Sequence, residues 1–160
     1  MNNIICRVKE DLKGYKQTKR NIEAWTREKA ALGKSNGCVF IPSPRLDGLP
    51  GGAADSSSVE RAAIHNEKRR ARIEALESSI MHAEYRLFCI DNALTALDEF
   101  DANLLRRHLI EGVPLSALVI DAGYSERSLR THEKAALACV GAILYPAYAP
   151  TTGAIMRGLA

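Results

Sequence analysis

The fold is decided by the stretch GVPLSALVIDAGYSERSLRTHEKAALACVGAIL, residues 112–144. Its first part, Leu115 to Ala122, is a short apolar segment that predicts a helix. Gly123 suits the left-handed position that ends a helix, and Ser125 is a favoured N-cap for the next one. The second helix is predicted from Glu126 to about Tyr145. Two helices joined by a short turn containing glycine form the helix-turn-helix layout.

The second predicted helix has two chemically different faces. One face is apolar at helical spacing and predicts burial, with Leu129, Ala136, Leu137, Val140 and Leu144. The other face is polar and cationic. Arg can contact guanine bidentately, Thr can contact several base edges, and Lys serves phosphate or guanine. Because the second helix of this motif usually enters the major groove of DNA, the candidate DNA-binding residues are Ser125, Glu126, Arg127, Ser128, Arg130, Thr131 and Lys134. The alternative is an ordinary amphipathic surface helix.

The same stretch resembles the second half of a sigma-70 region 4 domain. The matching positions are Gly123, Ser125, Arg130, Glu133 and Ala136-Leu137. The segment from Arg106 to Gly112 resembles the earlier helix of that family and its glycine turn. The first helix of the motif departs from the family pattern, since Leu118-Val119 and Ala122 replace Glu-Ile-Ala and a Leu. The resemblance implies a DNA-binding domain over residues 99–145.

The middle of the chain predicts one long helix from about residue 58 to 98. Steps of three and four from Val59 to Leu97 mark a single stripe, which comprises positions 59, 62, 66, 69, 73, 76, 80, 83, 87, 90, 94 and 97. Ten of these twelve residues are apolar, and Asn66 and Arg69 are the exceptions. A sustained seven-residue repeat indicates a coiled-coil seam, which needs a partner helix.

The N-terminal segment is the first candidate partner. Ile5, Val8, Leu12, Tyr15, Ile22, and Trp25 or Leu32 form a similar stripe over residues 5–32. Residues 33–55 are rich in Pro and Gly and predict a long loop, so the first helix can fold back on the second. A helical hairpin and a homodimer are both open. The tail, 146–160, is expected to be flexible.

The whole arrangement resembles the small regulators of phage late genes of the RinA and ArpU type. Leu49-Pro50-Gly51-Gly52, Asp55-Ser56 and Val59-Glu60-Arg61 resemble the element that precedes the long helix in that family. The resemblance implies a sequence-specific transcription activator of a phage or prophage promoter. It also implies double-stranded DNA as a partner and host RNA polymerase as a candidate second partner.

Charge is distributed unevenly along the chain. The protein has 22 Lys and Arg against 19 Asp and Glu, a net charge of +3. Residues 1–34 hold nine basic and four acidic side chains, whereas residues 99–160 hold six of each. A dedicated DNA-binding domain is usually clearly basic. We therefore expect modest, salt-dependent affinity for non-specific DNA. The basic N-terminal helix is either a solvated face or a second phosphate-contacting surface.

Composition favours an all-α protein and no catalytic or metal chemistry. The chain is 46% hydrophobic but only 6% aromatic, with Ala and Leu dominant. The four cysteines and four histidines show no metal-ligand spacing. Cys89 and Cys139 fall on predicted apolar faces. We expect neither an enzyme nor a cofactor, and a cytoplasmic protein without a signal peptide or a membrane span.

Two rival functions share the predicted architecture of a helical stem followed by a helix-turn-helix domain. A phage small-terminase-like subunit would also recognise DNA, but it would assemble into rings. A coiled-coil adaptor would bind RNA polymerase or another protein without touching DNA, which the neutral C-terminal third favours. The expected domain division is 1–98, 99–145 and 146–160.

Overall fold

The computed structural model describes residues 2–34 and 56–148. These residues form five α-helices: α1 (Asn2–Lys34), α2 (Ser56–Thr95), α3 (Glu99–Leu105), α4 (Leu115–Ala122) and α5 (Glu126–Leu144). A π-helical turn, Arg106–Ile110, continues α3, and a 3-10 turn, Pro146–Tyr148, follows α5. No strand occurs in either described range, so the all-α class is confirmed.

The predicted helix boundaries are close to the observed ones. The predicted loop begins too early, because Gly33 and Lys34 are the last residues of α1. The rest of that loop, with the Leu49–Asp55 part of the family-like element and Cys38, lies outside the described residues. Residues 149–160 of the expected tail lie outside them as well.

Burial along α2 follows the predicted seam. Between residues 62 and 87, every side chain at a seam position is buried or half-buried, and every other side chain is exposed. The seam includes Arg69, which is half-buried, while Lys68 and Arg70 beside it are exposed. In α1 the predicted apolar residues are likewise buried or half-buried. Thr18 takes the inward position near Lys19, so the stripe continues past that lysine.

The chain divides into two compact units, which comprise residues 1–20 with 83–160 and residues 21–82. In the second unit Leu76 is buried. The Arg72 guanidinium lies 2.7 Å from Glu28, and the Lys29 ammonium lies 3.0 Å from Glu77. These ion pairs link α1 and α2 within that unit.

The first unit has its larger core between the start of α1, the end of α2, α3 and α5. Its buried residues are Val8, Leu12, Ile90, Ala93, Leu94, Leu105, Leu109, Ala136, Leu137 and Val140. The observed division does not coincide with the expected boundary between residues 98 and 99. The reason is that the ends of both long helices fill the same core as α3 and α5.

Polar contacts fix α1 within this unit. The buried Asp11 carboxylate accepts hydrogen bonds from Arg86 of α2 and from the Tyr145 hydroxyl after α5. The Tyr15 hydroxyl lies 3.0 Å from Asp91 of α2. Because a buried carboxylate without partners is strongly unfavourable, these contacts select one position of α1 on the core.

Candidate nucleic-acid interface

The turn between α4 and α5 has the geometry that its residue types predict. Gly123 ends α4 in the left-handed region, with φ 68° and ψ 13°, and its N–H donates to the Val119 carbonyl at 3.1 Å. Ser125 is extended, with φ −69° and ψ 152°, and its Oγ accepts a hydrogen bond from the Ser128 N–H at 3.2 Å. The predicted roles of Gly123 and Ser125 are confirmed.

Two cores hold α5 at different points along its length. Near its start, Leu129 packs with Leu104 of α3 and Leu118 of α4 in a small core. Further along, Ala136, Leu137 and Val140 belong to the larger core. The apolar face predicted from the sequence is therefore the buried face. Because α5 packs on both cores, its first two turns are held in one orientation relative to α3 and α4.

An aromatic cluster ties the turn to its neighbours. The rings of Phe100 in α3, Tyr124 in the turn and His132 in α5 lie 5.1 to 5.8 Å apart between centroids. His132 Nδ1 also lies 3.1 Å from Asp101 Oδ1. Sequence reasoning did not identify this cluster, because nothing in the local pattern joins residues so distant along the chain.

The outer face of α5, which we define as Arg127, Arg130, Thr131 and Lys134, is exposed throughout. These four side chains line one shallow surface together with Glu126. Of the other candidate residues, Ser125 and Glu126 are exposed and Ser128 is half-buried. The structure thus brings four candidate base or phosphate contacts together on one side of the helix.

Two members of the outer face are held by contacts within α5. The Arg130 guanidinium donates to Glu126 Oε1 at 2.6 Å and 3.1 Å. The hydrogen bond to Glu126 and the negative charge of Glu126 raise the pKa of Arg130 above its ordinary value. The Thr131 hydroxyl donates to the Arg127 carbonyl at 3.0 Å, so its remaining hydrogen-bonding capacity is that of an acceptor.

A contact that sequence reasoning missed joins α1 to α5 beside the outer face. The Lys9 ammonium lies 2.8 Å from Oε1 of Glu133, whose side chain is only 7% exposed. A groove beside this pair is lined by Ile5, Cys6, Lys9, Arg130, Glu133, Lys134 and Leu137. The sequence alone marks Glu133 only as a position that matches the family pattern. A buried carboxylate is unfavourable without a cationic partner, and Lys9 of α1 provides that partner for Glu133.

One expected side-chain position is wrong. Cys139 is exposed, because it lies beside the buried Val140 rather than on the buried face of α5. Cys89 is half-buried, as its predicted apolar surroundings require.

No helix within residues 2–34 and 56–148 is both long and apolar enough to cross a membrane. The same residues contain no group of three or more His, Cys, Asp or Glu side chains placed to hold a metal ion.

Comparisons with protein-family models, curated proteins and solved structures found no match to this chain. The function therefore has to be inferred from the residues and their geometry.

Proposed function

We propose that α4, the glycine turn and α5 form a helix-turn-helix unit, and that the protein is a sequence-specific DNA-binding regulator of transcription. In this proposal α5 is the recognition helix. The two long helices serve as a stem, which is what the resemblance to phage late-gene activators implies. Host RNA polymerase is the proposed second partner.

The main support for the proposal is that α5 has one buried face and one exposed, cationic face. Its buried side chains are aliphatic apart from Glu133, while every side chain of the outer face is exposed. In such motifs the N-terminal residues of the second helix contact base edges. Arg127 and Arg130 stand in the first two turns, where bidentate contacts with guanine are expected. Lys134 stands one turn further along, where a phosphate contact is expected.

The net charge of the C-terminal third determines how much of the proposed DNA binding can be non-specific. Because residues 99–160 are neutral as a whole, sequence-independent attraction to the phosphate backbone should be modest. Specific binding then relies on base contacts and on a second attachment, either another copy of the protein or RNA polymerase.

Selection from a library of random duplexes tests this function. We expect the protein to enrich a defined sequence, and to bind it with an affinity that falls as salt rises. Recovery of duplexes without any shared sequence would contradict the proposal.

An adaptor that binds another protein is the second candidate, and one observation favours it. Tyr85 and Phe88 of α2 are 67% and 60% exposed, three residues apart on one helix face. Large exposed aromatic side chains are common at protein interfaces. If the adaptor proposal is correct, Phe88→Ser abolishes capture of RNA polymerase, while no duplex sequence is enriched by the unmodified protein.

A further inference from the structure

We propose that the start of α1 is a second DNA-contacting element, which binds the phosphate backbone beside the helix that reads the bases. This inference rests on the proposed function and names a further part of the same interface. Its contacts belong to a row of side chains on one face of α1, the cationic stripe, which comprises Lys9, Lys13, Lys16 and Arg20. Lys9 is paired with Glu133, and the other three are the proposed phosphate contacts.

The cationic stripe follows from helical spacing. Its members are separated by steps of four, three and four residues, which place side chains on one helix face. α1 is helical throughout this range. Lys13, Lys16 and Arg20 are exposed. None of these three forms an ion pair with a residue in the described parts of the chain.

The stripe begins at the proposed interface. Lys9 lines the same groove as Arg130 and Lys134 of α5. Its ammonium is held by the buried Glu133, 2.8 Å away, so Lys9 positions α1 and the free cations begin one turn later. The positive surface of α5 is thus continued by α1 within the same compact unit.

The dimensions of the stripe suit a nucleic-acid backbone. From Lys13 to Arg20 the helix rises about 10 Å at 1.5 Å per residue. That length equals about three nucleotides of a DNA strand at 3.4 Å each. Lysine and arginine side chains on a straight helix recognise phosphate charge without reading sequence. This stripe also explains how a neutral C-terminal third can belong to a DNA-binding protein.

The test is the triple variant Lys13→Gln, Lys16→Gln and Arg20→Gln, measured against the duplex that selection yields and a scrambled duplex. The matched control is Lys34→Gln, Lys68→Gln and Arg70→Gln, three exposed cations of the other unit. We expect the α1 variant to weaken binding to both duplexes by the same factor. The slope of log affinity against log salt should fall by about 3, or about one per lost phosphate contact. In the control it should fall by less than about 1.

The outcomes separate this inference from the function on which it rests. If the α1 variant matches its control while the unmodified protein still prefers the selected duplex, the α1 contact is overturned and the recognition helix stands. If the unmodified protein binds no DNA, both proposals fail. If the α1 variant binds DNA normally but loses transcription that depends on RNA polymerase, the stripe binds polymerase and the inference is overturned.

Discussion

At the scale of single residues, the pairing of Glu126 with Arg130 lies within the proposed DNA interface. Both side chains are exposed, so the pair contributes little to folding. Its consequence is geometric, because Arg130 is held along the helix surface in the free protein. Glu126 also places a negative charge where DNA phosphates would approach. The pair therefore orients Arg130, and under the proposed function it would oppose binding to DNA in general.

The first prediction concerns Glu126→Gln. Removing the negative charge should strengthen binding to a scrambled duplex several-fold at low salt, since a like charge next to phosphate is lost. Preference for the selected duplex should fall, because Arg130 loses the partner that orients it. Titration of both duplexes with the variant measures the two effects. Unchanged affinity for the scrambled duplex would show that Glu126 lies away from the DNA.

Tyr145 is a second residue whose environment has a measurable consequence. Its hydroxyl donates to the buried Asp11 carboxylate. Burial, and then the hydrogen bond and the charge of Asp11, raise its pKa above the ordinary value of 10.0. A raised pKa means that the folded protein favours the neutral phenol. The corresponding stability is present below about pH 10 and is lost as pH rises through the folded-state pKa.

The second prediction is the pH dependence of Tyr145→Phe. Near pH 8 the variant should be less stable than the unmodified protein by about 0.5–1.5 kcal/mol, since one hydrogen bond is lost. That difference should shrink above pH 10, where the phenolate faces the Asp11 carboxylate. Denaturant unfolding at pH 8 and pH 11 measures it. A difference that stays constant between these pH values would contradict the proposed linkage.

At the scale of elements, two helical glycines have opposite surroundings. A Cβ added at Gly141 of α5 would lie 2.8 Å from Ile4 Cγ2 and 3.6 Å from Val8 Cγ2 of α1, whereas one added at Gly14 of α1 would meet nothing within 4 Å. The absence of a side chain at Gly141 lets α1 and α5 approach closely. Gly14 only weakens its helix.

The third prediction compares Gly14→Ala with Gly141→Ala. Gly14→Ala should stabilise the protein by about 0.5–1 kcal/mol through helix propensity. In Gly141→Ala the same gain should be outweighed by overpacking against the β-branched Ile4, so the net change is destabilising, by about 1–2 kcal/mol. Thermal melting of both variants shows whether each is more or less stable than the unmodified protein. Stabilisation by Gly141→Ala would mean that α1 does not pack closely on α5.

The helices themselves could be predicted from the sequence, because their signals are local. The α2 seam follows a seven-residue repeat, and the start of α5 follows from Gly123 and Ser125. The π-helical turn at Arg106–Ile110 has no comparable signal. There Gly112 takes a positive φ of 85°, and His108 Nδ1 contacts the Val113 carbonyl at 2.8 Å. Such a turn depends on contacts formed after the flanking residues have packed.

At the scale of the whole molecule, the sequence does not show which helices share the larger core. Val8 and Leu12 pack with Leu137 and Val140, more than a hundred residues away along the chain. Periodicity indicates which face of each helix is buried, but not which helix covers it. The outer face of α5 could be predicted as exposed. The contact of Lys9 with Glu133 could not, because it depends on how α1 and α5 pack.

The outer face of α5 is proposed to read DNA sequence, and the triple variant Arg127→Ala, Arg130→Ala and Lys134→Ala tests this. All three side chains are exposed, so the variant should fold with unchanged helicity and melting temperature. The control is Lys34→Ala, Lys68→Ala and Arg70→Ala, which removes the same charge from exposed positions elsewhere.

The decisive measurement is the affinity of both variants for the duplex obtained by selection. Since each bidentate Arg–guanine contact contributes about 1–3 kcal/mol, we expect the α5 variant to bind about a hundredfold or more weakly, with its sequence preference lost. The control should retain the preference of the unmodified protein. A folded α5 variant with unmodified affinity, sequence preference and salt dependence would contradict the proposed recognition helix and leave the adaptor function as the better explanation.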